Sequence, residues 1–419
     1  MRGSAANPRY FYQFLGAHSL LIGLLPFFLP VYLWTSGLGL TGLCLLIGVS
    51  GISFALSLKL WQLLAMHWPL RRLIGITFIC EIALVFVAGL LTEVPGLGLY
   101  GFSENTMGKP EVSVLLSATL LGIFNGAYNA FFWTTQRTLF LKQLGKNDTG
   151  KQYGNFQIFV TLFLKAGILL GGLLLENDNF VWLLALSAGV GAVSHGMLAN
   201  SSQGDAPLLA KTSYVGLRQS LFYKDNQGSR VTFALDGLFL YLESHLWTLS
   251  LFLVVKQDFS TLGLAVVLLA AGFALMFFLI KNRIDTLPID RVYTAAVWLY
   301  SLAWLLRSTL SDTTEGASLL TTLLLITFFS SFFRLAFNKR FFDVARRENT
   351  VQYLLVKSYS SQWILGIFFI VFSGLLWIFE PDAQLVLQIS YAVGAGLALV
   401  YLVYRDSSYR NSVITETSP

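Results

Sequence analysis

Apolar residues along this chain come in blocks of about 20, separated by short polar stretches. Twelve blocks can be marked, at 10–34, 38–62, 73–94, 113–136, 155–175, 180–199, 231–255, 261–281, 291–309, 318–338, 359–380 and 384–404. An α-helix of that length spans the hydrocarbon core of a bilayer, roughly 30 Å thick. The pattern predicts an all-α integral membrane protein with twelve transmembrane helices. A hydrophilic stretch with Asp205, Lys211, Arg218, Lys224 and Asp225 separates the sixth block from the seventh. It divides the chain into a six-helix bundle at 1–199, a linker at 200–230, a second six-helix bundle at 231–405 and a tail at 406–419. The first block, beginning near Tyr10, is too long for a cleavable leader and reads as a span.

Composition supports this division and adds an orientation. Charged residues make up 12% of the 419 residues and hydrophobic ones 55%, against about 25% charged in an ordinary soluble domain. The net charge of +6 is scattered over short loops rather than gathered on one domain, so it does not mark nucleic-acid binding. Its distribution follows the positive-inside rule. The N-terminus and the segments after every even-numbered helix hold 22 of the 28 Lys and Arg, while the opposite loops hold only Lys109 and Lys256. Both termini and the linker are therefore expected in the cytoplasm, with a cell (inner) membrane as the expected location. Cys44 and Cys80, the only cysteines, lie in apolar blocks and imply neither a disulfide framework nor a metal site.

The two halves read as one unit used twice. Ser53-Phe-Ala-Leu56 in the second block is echoed by Gly272-Phe-Ala-Leu275 in the eighth, and Asp148-Thr-Gly-Lys-Gln-Tyr153 before the fifth by Glu348-Asn-Thr-Val-Gln-Tyr353 before the eleventh. Gly167-Ile-Leu-Leu-Gly-Gly172 forms a glycine-rich run in the fifth helix, and Arg71-Arg72 and Asp290-Arg291 follow the second and eighth helices. With this six-plus-six order, the chain resembles the major facilitator superfamily over essentially its full length. That resemblance implies two pseudo-symmetric six-helix bundles rocking about a central site at their interface. It also implies that helices five and seven flank the cavity.

Charged groups inside apolar blocks are the candidate chemistry, because each costs about 2.5–3.5 kcal/mol at a helix centre and needs a partner or a wet cavity. The seventh block carries Asp236, Glu243 and His245. Asp236 and Glu243, seven apart, fall on one face. They are a proton-titrating or substrate-pairing site, or a structural ion pair. Lys165, midway along helix five, needs a carboxylate, with Glu243 or Glu81 as candidates. A Lys165–Glu243 pair would bridge the halves. Glu81 in helix three, His18 in helix one, Asn125 and Asn129 in helix four, and the deep tryptophans Trp133 and Trp247 are further pathway candidates, each with a packing role as its alternative. Arg137 and Arg334, near the cytoplasmic ends of helices four and ten, read as snorkelling residues or a cytoplasmic gate. Arg307 reads as interfacial. Pro26 and Pro30 are expected to kink helix one.

The remaining motifs carry little. Gly145-Lys-Asn-Asp-Thr-Gly-Lys151 matches the spacing of a phosphate-binding loop, but Gln152 stands where a Ser or Thr should hold magnesium. No H-x-x-x-H spacing or nucleophile motif stands out, so neither an enzyme nor a cofactor is expected. The leading reading is a secondary active transporter that moves a small organic solute by alternating access, with proton coupling as a further possibility. The alternatives are a lipid or lysolipid flippase, and a non-transporting receptor or assembly factor. The expected partners are the solute, protons and membrane lipids, with the protein acting as a monomer and binding no nucleic acid.

Overall fold

The computed structural model describes residues 8–93, 112–143, 149–177, 180–199, 207–209, 214–225, 227–255, 257–280, 289–310 and 316–404. The first half comprises α1 (Pro8–Leu24), α2 (Leu29–Thr35), α3 (Gly39–His67), α4 (Leu70–Glu93), α5 (Val112–Gln143), α6 (Thr149–Glu176) and α7 (Phe180–Ala199). A short α8 (Leu217–Leu221) precedes the second half, which comprises α9 (Ser229–Tyr241), α10 (Trp247–Val254), α11 (Phe259–Ile280), α12 (Ile289–Ser308), α13 (Gly316–Arg347), α14 (Thr350–Phe379) and α15 (Ala383–Ala398).

Among the described residues, nine segments are long and apolar enough to cross a membrane, α1–α2 and α9–α10 each counting as one. Phe180–Val193 and Phe259–Ala270 are shorter apolar stretches at the sixth and eighth predicted positions. The 20-residue α12 occupies the ninth. This is an integral, multi-pass membrane protein. Below, the N-face is the end of the bundle at which α1 begins, and the far face is the other.

Two spans are broken, for different reasons. Pro26 has no amide hydrogen, and its ring excludes the helical bond at that step. The chain turns there, the amide of Phe27 reaches Ile22 O at 2.9 Å, and the helix restarts with Pro30 in the first turn of α2. The seventh span instead widens into one π-helical turn, Leu242–Leu246, which contains Glu243 and His245. Single π turns inside α-helices are rare and gather at functional sites.

Helix packing repeats between the halves. Within the first half α1 packs on α6, α3 on α5, and α4 on α5 and α7. Within the second, α9 packs on α14, α11 on α13, and α12 on α13 and α15. The halves meet along α3 with α14 and along α6 with α11, two contacts related by the same exchange of repeats. Close approach requires missing side chains: a Cβ on Gly51 would lie 2.7 Å from Gln362 O and 2.8 Å from Gly366 N. Farther along this seam Ser373 Oγ donates to Thr41 O (2.9 Å), and Gln62 Nε2 donates to the Tyr359 hydroxyl (2.9 Å). Gly167 sits where a Cβ would meet Leu20 O at 2.0 Å, so the glycine-rich run brings α6 against α1 within one half. Contacts bridge the halves at both faces, with Phe28 against Phe259 (6.0 Å between ring centroids) towards the far face and Phe140 against Phe342 (5.1 Å) at the N-face.

Several helices run past their predicted ends. Helix ten reaches Arg347 rather than 338, so Asp343–Arg347 continues α13, and Lys339 pairs with Asp343 one turn on (2.9 Å). Helix eleven starts at Thr350 rather than 359. Asp290 pairs with Arg340, whose guanidinium also donates to Tyr404 O (2.7 Å) and lies 3.9 Å from the Tyr293 ring centroid. The phosphate-loop match at 145–151 falls largely outside the described residues.

Candidate functional site

The seventh span organises the second half's interior. Asp236 on α9 is fully buried, with Arg334 Nη1 at 2.7 Å, Lys357 Nζ at 2.9 Å and the Tyr401 hydroxyl donating at 3.2 Å. Glu243, in the π turn, accepts from Arg334 Nη2 at 2.8 Å and Nε at 3.1 Å, and Arg307 Nη2 lies 3.7 Å from its other oxygen. One guanidinium thus bridges both carboxylates, which bears out their shared face. The contacts form an alternating chain, Lys357–Asp236–Arg334–Glu243–Arg307, with three positive members and two negative. Charges this buried hold only when paired and hydrogen-bonded. Aromatic rings enclose the chain: Tyr300 stacks on Phe333 at 4.0 Å, and its hydroxyl accepts from Arg334 at 3.3 Å.

This arrangement corrects several expectations. Glu243 pairs with Arg334 and Arg307, not with Lys165. The α6 helix lies along α1 and α11, and Lys165 Nζ comes to 5.9 Å from the Phe27 ring, with no carboxylate within 4 Å among the described residues. Arg334 is at the centre of the ionic chain and well inside its helix rather than near its end, because α13 continues to Arg347. Arg307 is buried (3% exposed) instead of interfacial. Asp236 is the more deeply enclosed carboxylate, Glu243 the more accessible (1% against 16% of the side chain). Lys357, missed by the sequence reading, is inside the bundle because α14 begins so early.

Across the interface, α5 carries a polar ladder. Asn125 Nδ2 donates to Ser50 Oγ on α3 (3.0 Å), Asn129 Nδ2 to Asn125 Oδ1 (2.9 Å), and Trp133 Nε1 to Asn129 Oδ1 (2.9 Å). Arg137 continues it, its guanidinium 5.8 Å from the Trp133 ring and close enough to Asp236 and Lys357 to act on both electrostatically. It lies inside α5, which runs on to Gln143. Asn125 therefore ties two helices together, Trp133 closes the ladder within α5, and Arg137 acts towards the second half.

A separate polar group is buried in the first half. His18 is fully enclosed, stacked between Phe132 (3.4 Å) and Phe78 (5.3 Å), with Tyr128 at 6.0 Å. Glu81, one turn beyond Phe78, is also fully buried, and among the described residues neither of its oxygens, neither His18 nitrogen nor the Tyr128 hydroxyl has a hydrogen-bond partner. His245 is stacked on Tyr241 and accepts or donates a bond with Ser244 (2.8 Å). Trp247 packs over Arg307, 5.0 Å from ring centroid to guanidinium.

Broken first and seventh spans, a helix packing that repeats between the halves and a charge chain that starts on a seam helix define a two-bundle membrane architecture. Comparison with solved structures agrees over nearly the whole chain. A mutant of the nucleoside transporter NupG superposes with a TM-score of 0.65 at 13% identity, covering 95% of this chain and 99% of that one. NupG itself gives 0.64 at 14%, covering 94% and 97%. The human organic anion transporter MFSD10 gives 0.60 at 14%, covering 94% and 98%. The chain has the fold of the major facilitator superfamily. No family model and no curated protein sequence matches it.

Proposed function

We propose that this protein is a secondary active transporter that moves a small polar or charged organic solute by alternating access. The observation that carries the proposal is the alternating chain from Lys357 to Arg307, which runs through the second half and at its Lys357 end rests on α14, the helix that meets α3 at the seam. Static packing does not require five charges there, since apolar residues of similar volume are often at least as stable. A chain of exchangeable ion pairs gives a charged solute something to displace, and Arg137 and Trp133 supply contacts from the first half. The fold is shared with proteins described as nucleoside and organic anion transporters, which sets the first solutes to try. The repeats move as units 1–199 and 231–405, the N-face is cytoplasmic in the cell membrane, and a monomer is sufficient.

Proton coupling has its best candidate in Glu81. Glu243 and Asp236 are each paired with guanidinium or ammonium groups at 2.7–2.9 Å. Glu81 has no such compensation, and an unpaired buried carboxylate is expensive enough that the group is carried as a neutral acid. Opening the first half to water would release its proton to that water.

The test is flux into proteoliposomes of purified protein, with nucleosides, organic anions and zwitterions, each with and without a pH gradient. Saturable uptake lost in Arg334→Met supports the proposal. Absence of flux for every class, in a correctly folded preparation, refutes it. One observation favours the lipid reading: an apolar groove of about 570 Å³ between α9, α14 and α15, with Arg230 on its wall. A fluorescent lysolipid therefore belongs in the same panel.

A further inference from the structure

We propose that the second half holds a binding site for a small monovalent anion, a halide or a carboxylate, in the cavity beside Arg307 near the far face. The cavity has a volume of about 50 Å³ and is lined by Trp247, Ser250, Arg307, Gln388 and Tyr391 among others. One water needs about 10–15 Å³ on this measure, so the space suits a chloride with a water or two, or a single carboxylate group. It is too small for a whole nucleoside or an aromatic acid.

Three observations point to an anion. First, the Arg307 guanidinium is 3% exposed, yet its Nε and Nη1 have no hydrogen-bond partner among the described residues. Only Nη2 is engaged, donating to Ser330 Oγ at 2.9 Å and lying 3.7 Å from Glu243. Buried donors left unsatisfied cost about 1–3 kcal/mol each, more when charged. Second, the charge chain has an odd number of members. Its carboxylates, Asp236 and Glu243, are both committed to Arg334 at 2.7–2.8 Å, so the uncompensated positive charge falls at the Arg307 end. Third, the surroundings are arranged for recognition. Trp304 and Trp247 hold the guanidinium at 4.3 and 5.0 Å from their ring centroids. The Ser250 and Tyr391 hydroxyls bond to each other at 2.6 Å, which leaves one hydroxyl hydrogen free. Gln388 is fixed by a bond to Leu310 O at 3.3 Å.

The anion can be a free inorganic ion or the carboxylate of a larger solute reaching in from the far face. The site is read by binding alone, so its outcome is separable from that of the transport proposal. Thermal unfolding of the purified protein in detergent should be followed at constant ionic strength while sulfate, a larger dianion, is replaced by chloride, bromide or formate. A saturable rise in Tm is expected. A response to halides identifies an inorganic ion, a response to formate alone identifies a carboxylate subsite, and a response to both identifies a site open to either source. Arg307→Gln should abolish the response. Ser250→Phe, which fills the cavity and leaves the charge chain intact, should raise the apparent Kd at least tenfold. It decides the matter even if Arg307→Gln fails to fold. No response in the wild type, or one unchanged in Ser250→Phe, overturns the proposal.

Discussion

Arg334 is the one residue that touches both carboxylates of the seventh span, so its removal tests the charge chain as a unit. In Arg334→Met, Asp236 keeps Lys357 at 2.9 Å, while Glu243 is left with only Arg307 at 3.7 Å. Removing one partner of a buried pair typically costs about 3–5 kcal/mol. The partial exposure of Glu243 (16%) and the surviving Lys357 contact put the expectation near the lower end, about 3 kcal/mol. Glu243→Gln has a different defect: Arg334 and Arg307 lose the anion between them and repel. In the double variant both the orphaned carboxylate and that repulsion disappear, leaving Lys357, Asp236 and Arg307. The double variant should therefore be more stable than the sum of the singles predicts, by about 1.5–3 kcal/mol, within the range seen for directly coupled residues. Equilibrium unfolding in mixed micelles, followed by tryptophan fluorescence, measures all four corners of this cycle. Additivity to within about 0.5 kcal/mol would refute the reasoning, because it would mean that the pairs are not coupled through Arg334.

Further tests address other parts of the molecule. Glu81→Gln mimics the neutral acid, so it should leave Tm within a few degrees of the wild type while making solute flux in proteoliposomes independent of the pH gradient; a strongly destabilised Gln variant would contradict the neutral-acid reading. Gly51→Leu forces a side chain against Gln362 O and Gly366 N, and should cost about 1–3 kcal/mol as an overpacked contact, read as a lower Tm than for Gly374→Leu, where a Cβ meets nothing within 4 Å. Asp258 precedes α11 and accepts from the amides of Ser260 (2.8 Å) and Thr261 (3.1 Å) and from both hydroxyls, bonds that bring its carboxyl down to about 2. Because the folded value is the lower one, its contribution is present above the unfolded value of about 3.9 and fades as pH falls towards 2. Asp258→Ala should cost about 1 kcal/mol at neutral pH, as for a lost helix cap, with the difference from wild type shrinking over that acid range.

How much of the site was legible follows from where each signal is stored. Asp236 and Glu243 stand out because hydropathy is a local property, and a charge within an apolar block is visible without any partner. Their shared face follows from a spacing of seven and survives the intervening π turn, since Arg334 reaches both. Lys357 was missed for a simple reason: its neighbourhood, Val351 to Ser361, is polar enough to read as loop, yet the residues from Tyr353 to Gln362 are buried by α3, α9 and the chain around α8. Arg307 stood near a predicted helix end, where snorkelling is the usual outcome, but Trp304 and Trp247 cover it. Lys165 was seen as a charge in need of a carboxylate, with Glu243 or Glu81 as candidates; neither lies within 4 Å, and its half-buried side chain instead faces the Phe27 ring.

The sequence by itself determined the membrane class, the all-α architecture and the list of charges that must be accommodated. Each is a sum over local terms: transfer free energy per residue, helical rise, and loop charge. Only the tertiary structure decided which charges meet. Pairing depends on the rotation of each helix about its axis, on small residues such as Gly51 and Gly237 that let particular helices approach, and on helix ends set by packing rather than hydropathy. Those quantities join residues about 100 positions apart, such as Asp236 with Arg334 and Glu243 with Arg334, and no window along the chain contains both members.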